Sequence, residues 1–306
     1  MHILSVDQFE QSWLEQLFNR ADELREMDHD KKGRQDLAAL HVGKQLCSLF
    51  YEPSTRTRLS FETAAVKLGM GVVSTENARE FSSAAKGETI EDTVKVLNEY
   101  HYDAIVLRHH ETGAARQAAD VSRSPIINAG DGKGEHPTQA LLDMYTIYRK
   151  FGRLDNLTVI MGGDLANGRT VRSLSKLLSR GKGNLLIFVS IPELQIGADI
   201  KEVLTANKTE FREVSNLEEV AALADVVYWT RLQKERLDPG VKITHNFVID
   251  GAVLPLLKQD MIIMHPLPRV DEITTEVDDD PRAQYFEQAG NGLYVRMALI
   301  DALVTT

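Results

Sequence analysis

Three hydroxyl groups and two guanidinium groups fall within five consecutive residues, Ser54-Thr55-Arg56-Thr57-Arg58. The segment that follows, LSFETAAVKLG, predicts a helix that begins at these residues. Ser and Thr are favoured at helix N-termini, where free N–H groups also bind phosphate well. Arginine can hold phosphate oxygens through paired hydrogen bonds. The segment therefore predicts a phosphate site, and a well-capped helix with surface arginines is the alternative.

Polar residues follow two further apolar runs of the first half, beginning with Arg108-His109-His110. After the second run, Pro125–Asn128, Pro137 suits the first turn of a helix. This places His136 at the N-cap of that helix and Gln139 one turn later. The helix dipole favours the neutral imidazole there, and its N–H can polarise a carbonyl. The alternative is a capping histidine with no chemistry.

The second half also carries chemistry-bearing residues directly after apolar runs. Gly162 and Gly163 precede Arg169, but their spacing is not that of a dinucleotide fingerprint, and no acidic residue ends the next apolar run at Val189. Two later segments follow the same arrangement: Thr230-Arg231 and His265-Pro266-Leu267-Pro268-Arg269.

The sequence lacks the usual signatures of metal and covalent catalysis. No HExxH, CxxC or clustered Asp pattern predicts a metal, no cofactor motif is found, and no GxSxG elbow supplies a nucleophile. The single cysteine, Cys47, lies in the apolar run Gln45–Phe50 and is expected to be buried. The remaining residues suit a phosphorylated electrophile and a second anionic substrate, held close together.

Short apolar runs must position these residues, and most of the runs are rich in Val, Ile and Leu with little alternation. Strands buried on both faces have this pattern. The predicted strands are Lys44–Tyr51, Gly71–Ser74, Ala104–Leu107, Pro125–Asn128, Leu157–Met161, Leu185–Val189, Val226–Trp229, Phe247–Ile249 and Met261–Met264. The predicted helices are Val6–Arg25, Thr57–Leu68, Glu88–Tyr100, Gly113–Val121, Pro137–Phe151, Arg169–Arg180, Asn216–Leu223 and Tyr285–Val304.

The repeated β-α-β order predicts an α/β fold: two open parallel-sheet domains with helices on both faces. A short polar segment, Phe151–Asn156, is the best candidate boundary. Because ligands of such sheets bind beyond the carboxyl ends of the strands, the polar residues there are the candidate site. The acidic run Asp278-Asp279-Asp280 is expected to be a solvated loop.

Composition limits the partners. The chain has 306 residues, 43% hydrophobic and 26% charged, and 35 Lys and Arg against 45 Asp and Glu give a net charge of −10. This balance disfavours nucleic acid as a partner but permits a small anionic substrate at a local cationic site. No apolar run approaches the roughly 18 residues of a membrane span, and no signal peptide is recognised, so we expect a cytoplasmic protein without a membrane anchor.

Four separated segments, FYEPSTRTRLSFE, HPTQALLDMY, TRLQKERLDP and MHPLPRVDEI, resemble the aspartate/ornithine carbamoyltransferases in the same order. The resemblance spans about Val42 to Met297. Pro266 stands where the ornithine enzymes carry a cysteine, and Arg169 and Arg231 suit a dicarboxylate amine, so the sequence is more similar to the aspartate-using members.

The resemblance implies transfer of the carbamoyl group of carbamoyl phosphate to L-aspartate, in pyrimidine biosynthesis, without a covalent enzyme intermediate. It implies a carbamoyl-phosphate domain over 1–150, an aspartate domain over 151–284 and a helix over about 285–306 that returns to the first, with the site in the interdomain cleft. The implied catalytic residues are Arg56, Thr57, Arg108 and His136. Those implied to bind carbamoyl phosphate are Ser54, Thr55, Arg56, Thr57, Arg108, His136, Gln139, Leu267 and Pro268, and those for aspartate are Lys86, Arg169, Arg231 and Gln233.

The resemblance also implies an assembly. Ser82 and Lys86 match a loop that reaches a neighbouring subunit's site, which implies a homotrimer with shared active sites and possible regulatory chains. Glu52 and Arg236 match a pair that forms when the domains close. Ala85, Ala166 and Asn167 depart from the pattern of a regulated member, which leaves control by regulatory chains open. The alternatives are a carbamoyltransferase for another amine and a catalytically silent paralogue.

Overall fold

A computed structural model describes residues 1–132, 134–232 and 248–305, and the chain forms two compact units. The first unit comprises Met1–Leu142 and Gly290–Thr306, and the second comprises Asp143–Ala289. The two points at which the chain passes between the units lie within long helices, Pro137–Phe151 and Tyr285–Val304.

The first unit is built on a parallel sheet with the strand order β2-β1-β3-β4. Its strands are β1 (Gln45–Phe50), β2 (Gly71–Thr75), β3 (Ala104–His109) and β4 (Ile126–Asp131). Consecutive residues of β1, β3 and β4 are buried, because helices cover both faces of these strands. On β1, for example, Cys47 and Leu49 pack in one hydrophobic cluster, while Leu46 and Phe50 are buried on the opposite face.

Seven helices begin in the described part of the first unit. They are α1 (Gln11–Met27), α2 (Lys31–Ala39), α3 (Thr55–Lys67), α4 (Ala78–Phe81), α5 (Ile90–Asn98), α6 (Ala114–Val121) and α7 (Pro137–Phe151). The single helix predicted over Val6–Arg25 is wrong at its start. Ser5 caps a separate 3-10 turn over Val6–Gln8, and the backbone is extended at Phe9 before α1 begins.

The second unit is built on a five-stranded parallel sheet with the order β7-β6-β5-β8-β9. Its strands are β5 (Thr158–Gly162), β6 (Leu185–Val189), β7 (Glu210–Val214), β8 (Val226–Trp229) and β9 (Ile262–Met264), and its further helices are α8 (Arg169–Leu178), α9 (Ala198–Ala206) and α10 (Tyr285–Val304). The predicted α/β class with two parallel sheets is therefore confirmed.

The second unit departs locally from the sequence predictions, which also omitted α9 (Ala198–Ala206). Strand β7 was not predicted, because this half-exposed edge strand reads Glu-Phe-Arg-Glu-Val and lacks an apolar run. The helix predicted over Asn216–Leu223 is a turn that ends in a short 3-10 segment, Ala221–Leu223. Of the strand predicted over Phe247–Ile249, Phe247 lies outside the described residues, and Ile249 makes an isolated bridge to Ile273.

Both sheets reverse their strand order once. In the first, the chain moves outward from β1 to β2 and then returns to place β3 on the other side of β1. In the second, the reversal lies between β5 and β8. Such reversals leave a crevice beyond the carboxyl ends of the two central strands, where ligands of open α/β sheets bind. No helix in the described part of the chain is long and apolar enough to cross a membrane.

Close packing where β5 meets β8 gives a stability prediction. A Cβ atom added at Gly162 would lie 2.1 Å from the ring of the fully buried Trp229. We expect Gly162→Ala to lower the free energy of unfolding by about 1–3 kcal/mol through overpacking. Gly290→Ala is the matched control, because Gly290 lies in α10 with nothing within 4 Å of an added Cβ. Alanine there should stabilise the helix by about 0.5–1 kcal/mol. Thermal denaturation of both variants checks this, and equal effects would contradict it.

Candidate active site

The start of α3 presents unsatisfied donors. Ser54 occupies the N-cap in an extended conformation, and its hydroxyl makes no capping bond to the described backbone of the helix. The first N–H groups of an α-helix have no acceptor within the helix. Thr57 is buried in the first turn, while Thr55 and Arg56 are exposed beside it. This arrangement suits an anion with several oxygens.

The two arginines of this segment differ in their partners. Arg58 pairs with Glu76 at 2.9 Å and with Glu62 at 3.4 Å, so its guanidinium is part of the local structure. In the described part of the chain no carboxylate pairs with Arg56. Although much of the Arg56 side chain is exposed, partial burial of the guanidinium lowers its pKa. An arginine nevertheless stays protonated at neutral pH, so Arg56 is a cation available to a ligand.

Arg108 is the penultimate residue of β3 and lies opposite Phe50, the last residue of β1, in the register. Its Nη1 donates to the Ala129 carbonyl at 3.2 Å, and its Nε lies 3.6 Å from Glu52 Oε2. Glu52 was predicted to pair with Arg236 on closure. In this structure Glu52 lies beside Arg108, and Arg236 falls outside the described residues.

His136 directly precedes α7, and its carbonyl accepts hydrogen bonds from Gln139 N at 3.0 Å and Ala140 N at 3.2 Å. The predicted N-cap position is therefore confirmed. The imidazole is 4% exposed and its Nδ1 lies 3.4 Å from Thr138 Oγ1. Gln139, one turn into the helix, is half-buried.

A carboxylate that sequence analysis missed braces the segment before His136. Asp131 Oδ1 accepts from Asn128 Nδ2 at 3.1 Å, and Asp131 Oδ2 accepts from Gly113 N at 2.9 Å. Its backbone carbonyl also accepts from Gly134 N at 2.9 Å. An aspartate among glycines is an ordinary turn signal, so the sequence alone gave no reason to single it out.

The segment with Ser82 and Lys86 is a short surface turn. The Ser82 hydroxyl accepts from Ala84 N at 3.1 Å and donates to the Ala78 carbonyl at 2.5 Å, which caps a 3-10 segment that ends at Lys86. Lys86 is exposed, and no carboxylate pairs with it in the described part of the chain. The lysine is thus free to contact a ligand or another chain.

In the second unit, the turn between β5 and α8 is tightly held. Gly163 has φ +101°, and an added Cβ would lie 2.1 Å from the Thr230 carbonyl oxygen. The fully buried Asp164 accepts from Asn167 N at 3.0 Å and Asn167 Nδ2 at 3.1 Å. Arg169 follows at the first position of α8 and is half-buried. Asp164 fixes the turn that leads to Arg169, and sequence analysis gave it no role.

Strand order brings a second arginine to the same edge of this sheet. Thr230 follows β8 and donates from both N and Oγ1 to the Gly162 carbonyl at 3.0 Å, so the ends of β5 and β8 lie side by side. Arg231 comes next and is half-buried. Gln233, predicted to act with these two arginines, falls outside the described residues.

The segment after β9 places Leu267 at φ +54°, followed by a cis peptide bond to Pro268. Arg269 pairs through both terminal nitrogens with Asp278, and Nη1 also donates to Tyr285 Oη at 3.0 Å. The hydrogen bond from Arg269 holds the pKa of Asp278 below its usual value. The solvated-loop prediction is thus incomplete, because Asp278 pairs with Arg269 and Asp280 with Arg282.

Cys47 is excluded as a nucleophile. It is buried, and burial raises the pKa of its thiol to about 12, so the reactive thiolate is absent at neutral pH.

Each unit has its own set of cationic and polar residues at the carboxyl edge of its sheet. The first unit contributes Ser54, Thr55, Arg56, Thr57, Arg108, His136 and Gln139, and the second contributes Arg169, Arg231, Leu267 and Pro268.

Comparison with known proteins decides the family. A family model described as "Aspartate/ornithine carbamoyltransferase, carbamoyl-P binding domain" matches residues 1–149. A second, described as "Aspartate/ornithine carbamoyltransferase, Asp/Orn binding domain", matches residues 155–303. The chain belongs to the aspartate/ornithine carbamoyltransferase family. The family predicted from the four sequence segments is thereby confirmed.

Within this family, the chain is similar to aspartate carbamoyltransferases. The chloroplastic aspartate carbamoyltransferase of Arabidopsis thaliana is 51% identical over 306 residues, which cover 99% of this chain and 77% of that protein. The catalytic subunit of M. jannaschii aspartate transcarbamoylase is 43% identical with a TM-score of 0.91, covering 99% of this chain and 98% of that one. Aspartate transcarbamoylase from Trypanosoma cruzi, in complex with carbamoyl aspartate and phosphate, is 39% identical with a TM-score of 0.89, covering 98% and 94%.

Proposed function

We propose that this carbamoyltransferase transfers the carbamoyl group of carbamoyl phosphate to the amine of L-aspartate. The products are N-carbamoyl-L-aspartate and phosphate, in the route to pyrimidines. The observation that carries the proposal is that one chain has a phosphate-type helix start in its first unit and, in its second unit, two half-buried arginines at one sheet edge. The carbamoyl aspartate and phosphate bound by the Trypanosoma cruzi relative support it.

The first unit supplies the groups for carbamoyl phosphate. The hydroxyls and N–H groups of Ser54, Thr55 and Thr57 bind the phosphate together with Arg56, which has no carboxylate partner among the described residues. Arg108, His136 and Thr57 donate to the carbamoyl oxygen. The carbamoyl NH2 donates to Gln139 of the first unit, and we propose that the backbone carbonyls of Leu267 and Pro268, which belong to the second unit, accept from it as well.

The second unit supplies the groups for aspartate. Arg169, Arg231 and Gln233 bind the two carboxylates, because guanidinium groups match carboxylate geometry in a paired fashion. Lys86 of a neighbouring copy adds a further cation. These cations favour a dicarboxylate over ornithine, whose side chain carries a positive charge.

The mechanism follows from where charge develops. The free α-amine of aspartate attacks the carbamoyl carbon, and its C=O oxygen gains negative charge in the tetrahedral state. Donors from Arg108, His136 and Thr57 stabilise that charge. The C–O bond to phosphate then breaks, and Arg56 with the start of α3 stabilises the departing anion. The leaving phosphate accepts the amine proton, so no covalent enzyme intermediate and no protein base is required.

A colorimetric assay for carbamoyl-aspartate tests the proposed function directly. The purified chain is incubated with carbamoyl phosphate and L-aspartate, with L-ornithine in a parallel reaction. We expect turnover with aspartate only. Turnover with ornithine alone would overturn the assignment of Arg169 and Arg231, and carbamoyl phosphate binding without turnover would indicate a silent paralogue.

The two arginines at the start of α3 form a matched pair of variants. Arg56→Ala should lower kcat by about 10²–10³ through loss of a contact made to the leaving group, with little change in thermal stability. Arg58→Ala should instead cost about 1 kcal/mol of stability, because Glu62 and Glu76 lose their partner, and it should change kcat far less. Steady-state kinetics and thermal melts distinguish them. Near-normal kcat for Arg56→Ala would contradict its role.

The catalytic-subunit name of the M. jannaschii relative indicates an oligomeric enzyme. We propose a homotrimer with shared sites. Large apolar side chains are exposed at Leu59 and Val66 on one face of α3, at Val73 on the edge strand β2, and at Phe81 beside Ser82. Exposed apolar surface of this kind suits an interface with another copy. Binding of regulatory chains stays a prediction. A cytoplasmic location also stays a prediction, because the Arabidopsis relative is named as chloroplastic.

Mixed trimers test the shared site. Arg56→Ala and Lys86→Ala chains are each expected to be nearly inactive alone. When they are dissociated and reassembled together, some sites combine an intact Arg56 with an intact Lys86 from the neighbour, so activity should return. Wild-type chains taken through the same cycle are the control. If the mixture stays inactive while the control recovers, the shared site is wrong.

A further inference from the structure

A buried histidine and a buried glutamate organise the segment that contains Leu267. His265 is 1% exposed and Glu272 is 3% exposed, and His265 Nε2 lies 2.8 Å from Glu272 Oε1. The Leu267 backbone N–H donates to His265 Nδ1 at 2.8 Å. Neither His265 nor Glu272 has a role in the substrate contacts proposed above.

The hydrogen-bond pattern assigns the state of the imidazole. A backbone N–H can only donate, so His265 Nδ1 must be the unprotonated acceptor. Nε2 then carries the proton and donates to Glu272. Burial acts to raise the pKa of Glu272, but the hydrogen bond from His265 and those from backbone N–H groups together hold the pKa below its usual value. The pair is therefore a neutral imidazole bound to a carboxylate.

Glu272 must be a carboxylate for this arrangement. While Oε1 accepts from His265, Oε2 accepts from Val270 N at 3.1 Å and Asp271 N at 3.2 Å. Glutamine in its place would turn an NH2 toward one of these donors. Two acceptor oxygens are needed, and only the ionised carboxyl supplies both.

A second chain of hydrogen bonds fixes the position of His265 itself. Its backbone N–H donates to Gln288 Oε1 at 2.9 Å, and Gln288 Nε2 donates to Asp143 Oδ1 at 2.6 Å. Tyr228 Oη donates to the other Asp143 oxygen at 2.9 Å. Elements β8, α7 and α10 thus hold the backbone of His265, and Glu272 holds Nε2 of its imidazole, so Nδ1 is a fixed acceptor.

Leu267 needs such an anchor, because its φ of +54° lies in the left-handed region that disfavours a leucine side chain. Without the acceptor at Nδ1, Leu267 would relax to negative φ and its carbonyl would rotate. We propose that His265 and Glu272 are positioning residues, which hold the Leu267 carbonyl where it accepts a hydrogen bond from the amide nitrogen of carbamoyl phosphate. This inference rests on the proposed function and adds a source of selectivity for the amide.

Two substitutions at His265 separate its two hydrogen bonds. Asparagine places a carbonyl oxygen at the distance of Nδ1 and retains the acceptor for Leu267 N–H. Glutamine places an amide at the distance of Nε2, retaining the contact to Glu272 but leaving Leu267 N–H without its acceptor. The probes are phosphonoacetamide, a stable analogue with the same amide, and inorganic phosphate, which lacks it. Titration calorimetry on the full chain gives the ratio of their dissociation constants.

We expect His265→Gln to weaken phosphonoacetamide by about tenfold, the size of one lost hydrogen bond, and to change phosphate binding by less than about twofold. His265→Asn should shift the ratio by about threefold at most, and Glu272→Gln should shift it in the same direction as His265→Gln. His41→Gln is the control, because His41 is a similarly buried histidine whose Nε2 lies 2.7 Å from Asp301 Oδ1. Its ratio should stay that of the wild type.

Equal weakening of both ligands, or equal ratios for the asparagine and glutamine variants, would overturn the positioning role. If His265→Gln does not fold, the ratio for Glu272→Gln decides the question alone. Wild-type protein that forms carbamoyl-aspartate while every variant keeps its ratio would reject this inference and leave the proposed function standing. Wild-type protein that forms none would reject the proposed function itself.

Discussion

The parallel pairing of β1 with β3 and of β5 with β8 is the constraint on which the candidate site depends. Parallel strands end at the same edge of a sheet, so residues that follow them become neighbours even when they are distant in sequence. Phe50 lies opposite Arg108, which brings the start of α3 close to the end of β3. Gly162 lies opposite Trp229, which does the same for the turn before Arg169 and for Thr230 and Arg231. A different strand order would leave the same motifs intact and scattered.

Buried carboxylates hold the turns that follow these strands. Asp131 braces the segment before His136, Asp164 fixes the turn before Arg169, and Glu272 anchors the loop of Leu267 through His265. In each case the carboxylate accepts from backbone or side-chain donors within the turn, which satisfies both the acid and the turn. An acidic chain can therefore present a cationic site, because part of its acid content is used to shape the loops that carry the cations.

The arginines divide into two groups by their partners. Arg58, Arg269 and Arg282 each bind a nearby carboxylate and contribute to local structure. Arg56 has no such partner in the described residues and stands beside unsatisfied helix N–H groups. Arg56 and Arg58 are two residues apart, and each directly follows a threonine. Only the acids that β2 and α3 bring near Arg58 distinguish them.

The sequence by itself determined most strands, most of the helices that follow them, the α/β class and the family. Buried strands and capped helices leave local signals, such as consecutive apolar residues and the Ser-Thr run at Ser54. The sequence failed at β7, an edge strand with few apolar residues, at the unpredicted helices α2 and α9, and at the helix predicted over Asn216–Leu223. The tertiary structure alone decided the strand order, the different partners of Arg56 and Arg58, and the pairing of His265 with Glu272. Contacts of this kind depend on how whole elements pack, and no local spacing encodes them.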